Sequence, residues 1–113
     1  MPSRTANVQL RHAAPIFAAL GDDVRLTLVT RLAGGESLSI TRLTAGLPIS
    51  RQAVTKHLRV LNEAGVVSGE RQGREQVWQL KPEALRDAQR YLDVISGHWG
   101  DALKRLKMFV ETQ

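Results

Sequence analysis

The chain contains no cysteine. Disulfides and thiolate metal ligands are therefore absent, and the composition suits a reducing compartment. No run of about 18 apolar residues occurs, so no membrane-spanning helix is expected. The opening stretch MPSRTANVQLRH lacks the apolar segment of a secretory signal. The expected location is cytoplasmic. There is no glycine-rich phosphate loop, no nucleophile motif and no convergent pair of carboxylates, so no enzyme is expected. Asp22-Asp23 reads instead as helix capping with favourable charge at a helix N-terminus. Acidic residues are missing from one particular region. Between Ser37 and Asn62 stand Arg42, Arg51, Lys56 and Arg59 with no acid among them. From Pro82 onward, five basic residues meet five acidic ones. The net charge of +5 is thus concentrated in the middle of the chain, the electrostatic footprint of a duplex binder. At 113 residues the chain is expected to form one domain with a small core.

The acid-free region has internal structure. Ser50 is a good N-cap, with Ile49 and Val54 at the hydrophobic-staple positions around it. Gly65 suits the position just past the helix end. A helix is predicted over about Arg51–Ala64. At about 100° per residue, Val54, Leu58 and Leu61 share one stripe, while Gln52, Lys56 and Arg59 lie opposite with Thr55 on the flank. Ser50, Arg51 and Gln52 crowd the N-terminal end, which touches base edges when such a helix enters the major groove. Arg and Gln suit bidentate readout of guanine and adenine. Lys56 and Arg59 are better placed for phosphates. Just upstream, SITRLTAG (Ser39–Gly46) has a cap at Ser39 and apolar Ile40 and Leu43. Two short helices across a tight, glycine-containing turn form a helix-turn-helix.

Residues 1–11 are expected to be a flexible arm. His12–Leu20 reads as a first helix with Pro15 in its first turn. Gly21 ends it, and Asp22 caps a second helix running to about Ala33. After the helix-turn-helix, Val66-Val67 and VWQL (Val77–Leu80) favour strands, with a turn signal at Gln72-Gly73. The hairpin is a wing. Arg71 and Arg74 flank its tip, either reaching phosphate or a minor groove, or offsetting Glu70 and Glu75 in solvent. Trp78 and Leu80 are expected to pack inward. Pro82 starts a long helix (82–110). Within it Leu85, Ala88, Leu92, Ile95, Trp99, Ala102, Leu106 and Phe109 alternate by three and four, a heptad seam. Tyr91, Val94, Leu103 and Val110 add a second apolar strip. One face closes the chain's own core and the other meets a second copy.

The order of these elements resembles the ArsR/SmtB family of bacterial repressors. IFAALGDDVRLTLVTRLA (Ile16–Ala33) is similar to that family's opening helices. PISRQAVTKHLRVLNEAGVV (Pro48–Val67) is similar to its recognition helix and first wing strand, and VWQLKPEAL (Val77–Leu85) to its second strand and last helix. The resemblance implies a mainly α fold with a small β-hairpin, a winged helix-turn-helix of order α-α-α-α-β-β-α over residues 12–113. It implies a homodimer through the first and last helices, bound to an imperfect palindrome in a promoter as a repressor. Its motif positions imply DNA-facing roles for Ser50, Arg51, Gln52, Thr55, Lys56 and His57. His57 lies about 60° off the apolar stripe, so two readings stand for it: a half-buried packing residue or a DNA contact. The interface would use Leu85, Leu92, Ile95, Trp99, Leu106 and Phe109.

Many members of that family sense metals through a cysteine pair, which this chain lacks. HWGDALKRLKMFV (His98–Val110) resembles a branch without metal ligands. His98 and Asp101 are spaced i, i+3, too few for a closed zinc site within one chain. No metal, cofactor or membrane partner is expected, and no residue pattern identifies an inducer. The alternative function is a winged-helix protein-interaction module without a DNA target; the acid-free basic region favours DNA.

Overall fold

The computed structural model describes the backbone of residues 4–111 and the side chains of residues 10–111. Five helices and three short strands follow one another: α1 (Arg4–Leu20), α2 (Asp23–Leu32), β1 (Leu38–Ser39), α3 (Ile40–Thr44), α4 (Arg51–Glu63), β2 (Val67–Gln72), β3 (Glu75–Leu80) and α5 (Pro82–Glu111). This is a winged helix-turn-helix with a long C-terminal helix.

Local capping chemistry sets most of the boundaries. The side chains of Asp22, Ser39 and Ser50 accept from the backbone N–H of Arg25, Arg42 and Ala53, three residues on in each case. At the far end of α4, Gly65 has φ +79°. Its N–H donates to Asn62 and that of Val66 to Leu61, which closes the helix with a Schellman pair.

The core lies where α2, α3 and α4 meet the root of the wing. Leu28, Leu32, Leu43, Val54, Leu58, Leu61, Val66 and Val67 are fully buried. Ile16 and Ala19 of α1 and Ala84 and Ala88 of α5 close its far side. Phe17 meets Tyr91 edge to face at 5.9 Å, joining α1 to α5. The radius of gyration is 18.7 Å, against about 13 Å for a compact domain of this length. The excess comes from α5, whose 30 residues run about 45 Å at 1.5 Å each and outreach the core.

Four expectations are corrected. The first helix starts at Arg4 rather than His12, so residues 4–11 are helical and not a loose arm; residues 1–3 of that arm lie outside the described residues. Pro15 sits inside this helix and not in its first turn. Its missing N–H costs one bond to the Arg11 carbonyl, and the exposed ring is tolerated because α1 packs along α5. The sheet has three strands, in order β1-β3-β2. Leu38 and Ser39 pair with Trp78 and Val77, partners far off in sequence that no local pattern announces. The wing turn is centred on Gly73-Arg74, one residue later than expected, because Gln72 pairs with Glu75. Gly73 at the first central position has φ +63° and Arg74 a negative φ, as a type II′ turn requires. Arg71 consequently faces Gln76 across the ladder, which avoids setting two arginines opposite each other.

Trp78 belongs to the core and Leu80 packs against it, half-buried, so both face inward as expected. The indole is accommodated by Gly69 across the ladder. A Cβ there would lie 2.9 Å from Trp78 Cζ3.

Candidate nucleic-acid interface

The helix-turn-helix is held by its neighbours as well as by its own caps. Arg31 of α2 donates to the carbonyls of Leu43 (2.8 Å) and Ala45 (2.7 Å). It places a cation on the last turn of α3, where orphan carbonyls carry partial negative charge. Gly46 turns the chain with φ +77°, and α4 follows after Ser50.

Arg51, Gln52, Lys56 and Arg59 are all exposed on α4. Together with Thr55 and Ile40 they line one shallow depression of about 340 Å³ between the start of α3 and the outer face of α4. The Thr55 hydroxyl donates to the Arg51 carbonyl at 2.8 Å. Ser50 spends one lone pair on its cap, with Oγ accepting from Ala53 N–H at 3.1 Å. Among the described residues, none of the four cations Arg51, Lys56, Arg59 and Arg74 enters an ion pair, and Arg71 enters none either. Glu70, the carboxylate beside Arg71, instead accepts from Gln72 at 3.1 Å. A face of unneutralised donors fits a polyanion, because bringing it to phosphate breaks no internal pairing.

His57 lies off this face, half-buried. Its side chain is one quarter exposed, with Nδ1 turned toward the α1–α2 corner, 3.2 Å from Arg25 Nη1 and 3.8 Å from Asp22 Oδ2. Arg25 Nε also donates to the Ala19 carbonyl at the end of α1. The Arg25 backbone N–H holds the Asp22 carboxyl below the ordinary aspartate range, with the charge of Arg25 adding to this and desolvation opposing it. Neither Arg25 nor Arg31 stood out in the sequence. Each acts across helices, and the only local sign was the i, i+3 spacing of Arg25 from its capping Asp22.

On α5, Leu85 is half-buried between the core residues Ala84 and Ala88, so it belongs to the stretch alongside the chain's own core. The exposed apolar strip begins one turn later. Leu92, Ile95, Trp99, Leu103 and Leu106 each keep between 44% and 66% of their surface in solvent, and Phe109 is exposed beyond them. Trp78 Nε1 is the one buried side-chain polar atom without a partner among the described residues. His98 and Asp101 are both exposed on α5. Among the described residues no three His, Cys, Asp or Glu side chains converge as a metal site, and no helix is long and apolar enough to cross a membrane.

Comparison with known proteins agrees with this geometry. A family model described as a helix-turn-helix domain matches residues 20–70. The HTH-type transcriptional regulator Rv2034 of Mycobacterium tuberculosis is 36% identical over 97 residues, covering 86% of this chain and 87% of that protein. An ArsR-like transcriptional regulator from Rhodococcus sp. RHA1 superposes with a TM-score of 0.73 at 34% identity, over 88% of this chain and 92% of that one. The fold is also shared with a homodimeric winged helix-turn-helix DNA-binding domain from Mycobacterium bovis, at a TM-score of 0.61 and 20% identity, over 91% of this chain and 92% of the other. With its reading helix, wing and long last helix in this arrangement, the chain belongs to the ArsR family of helix-turn-helix transcriptional regulators, and is a DNA-binding protein rather than an enzyme.

Proposed function

We propose that the protein represses transcription by binding an imperfect palindrome in a promoter as a homodimer. The observation that carries this reading is the depression on α4, lined by Arg51, Gln52, Thr55, Lys56 and Arg59 with no acidic residue in the lining. Arg51 and Gln52, near the N-terminus of α4, are assigned to base edges in the major groove. Ser50, Thr55, Lys56 and Arg59 are assigned to the flanking backbone, and Arg71 and Arg74 on the wing to more distant phosphates. A second copy covers the strip Leu92, Ile95, Trp99 and Leu106 on α5. The exposure of this strip supports this, because these four side chains keep between 44% and 66% of their surface in solvent. Two linked heads engage two half-sites, and a dimer seated on a promoter excludes polymerase.

Salt dependence tests the reading. Three to five phosphate contacts per protomer release counterions on binding. The log–log slope of affinity against salt is then about −5 to −9, at about −0.9 per contact. The slope is measured by fluorescence anisotropy on a labelled duplex from the promoter region that footprinting identifies. A slope near zero would refute duplex binding through this face.

A further inference from the structure

The apolar stripe of α4 holds the helix against the core, but dispersion contacts are not directional. They set the depth of the helix better than its roll about its own axis. Among the described residues, α4 makes polar side-chain contact with the rest of the fold at one place, His57, against Arg25 and Asp22. The other side-chain hydrogen bonds of α4 close on its own backbone or cap.

We propose that Arg25 is a positioning residue for DNA readout, which acts through His57 to fix the roll of the reading helix relative to α1. This rests on the reading above, in which α4 carries the base contacts. A guanidinium only donates and stays charged. His57 Nδ1 therefore accepts, and the ring hydrogen resides on Nε2. Arg25 does not swing freely, because its Nε is anchored on the Ala19 carbonyl. Its own backbone N–H is held by Asp22 at 3.0 Å. One side chain thus ties the last turn of α1 to the middle of α4. Since α1 also packs along α5, the tie links the helix that carries the proposed dimer surface to the helix that reads DNA. The lever is short but sufficient. Side chains end about 6 Å from a helix axis, so a roll of about 10° carries the tip of Gln52 by about 1 Å, enough to spoil a bidentate hydrogen bond.

The consequence is specific. Losing the tie lowers discrimination between operator and random duplex more than it lowers general duplex affinity, because phosphate contacts tolerate a small roll and base contacts do not. The test measures anisotropy of wild type, Arg25→Met, His57→Leu, His57→Asn and the double variant Arg25→Met/His57→Leu. Each is titrated with the footprinted promoter duplex and with a scrambled duplex of equal composition. The expected loss of the operator-to-scrambled ratio is about 10-fold for Arg25→Met and for His57→Leu, and no greater for the double variant. His57→Asn, whose Oδ1 offers an acceptor near the position of Nδ1, keeps the wild-type ratio. Ratios unchanged in Arg25→Met and His57→Leu, additive losses, or failure of His57→Asn to rescue would each overturn the proposal while leaving duplex binding intact. Wild type that fails to distinguish the two duplexes would instead refute the operator reading beneath it. A measurement on wild type alone bears on the tie directly. The ¹⁵N spectrum of His57 at neutral pH should show an unprotonated, hydrogen-bonded Nδ1 and a protonated Nε2. A hydrogen on Nδ1 would overturn it even if every variant failed to fold.

Discussion

Leu106→Glu separates folding from assembly. Leu106 lies on the distal half of α5, more than four turns beyond Ala88, the last core residue of that helix, and is 59% exposed in the single chain. The monomer's core does not use it, so the substitution should leave the monomer folded. In the proposed dimer the second copy would cover the exposed part. Full burial of a leucine contributes about 1.5–3 kcal/mol, so covering the remaining part contributes about 1–2 kcal/mol. Two-fold symmetry doubles this to about 2–4 kcal/mol. A carboxylate in the same place removes that contribution and adds a desolvation penalty of several kcal/mol for each copy. At about 1.4 kcal/mol per tenfold, the dimer dissociation constant should rise by at least about 30-fold. Sedimentation equilibrium at micromolar concentration reads the change, and circular dichroism checks that helix content persists. Operator affinity should fall in parallel, since two half-sites one helical turn apart need two linked heads. A Leu106→Glu protein that dimerises like wild type would refute the assignment of this face. So would wild type that is monomeric at micromolar concentration yet binds a palindromic operator tightly.

Other perturbations address the wing, the division of labour at the DNA face and the cap of α2. Gly69→Ala drives a Cβ to 2.9 Å from the buried Trp78 ring and should cost about 1–3 kcal/mol, read as a lower Tm with an altered near-ultraviolet dichroism of the indole; an unchanged Tm would show that the ring has room to move. Gln52→Ala and Arg51→Ala should each cost about 1–3 kcal/mol of operator preference, whereas Arg74→Ala should weaken operator and random duplex alike; an altered base preference in Arg74→Ala would reverse the division. Asp22 has a carboxyl held below its ordinary range in the fold. Its stabilising contribution is therefore present above aspartate's ordinary value of 3.8 and is lost as pH falls through the depressed folded value. Asp22→Asn keeps a capping acceptor without the titration and should flatten the acid limb of the stability–pH curve below that value; an identical limb in both proteins would refute the linkage.

Features whose cause is local were legible from residue order alone. Ser39, Ser50 and Asp22 were readable as caps because each accepts from an amide three residues ahead, and no distant partner has a say in that. Gly65 at the end of α4 follows from the same short range. The buried stripe Val54, Leu58 and Leu61, the basic face opposite it, and the long heptad helix from Pro82 follow from periodicity, which needs only the pitch of a helix. Tertiary structure decided what depends on partners far off in the chain. β1 exists because Leu38 and Ser39 meet Trp78 and Val77, and two residues have no periodicity to detect. The wing turn lies one residue later than its dipeptide signal because the whole β2–β3 ladder, with Gly69 under the Trp78 ring, fixes the register. Residues 4–11 are helical rather than loose because α1 runs through Pro15 along α5, packing that outweighs one lost hydrogen bond. Helical angle alone left His57 between two readings. Its contact with Arg25, a donor 32 positions away in the chain, is brought to 3.2 Å only by the folded arrangement.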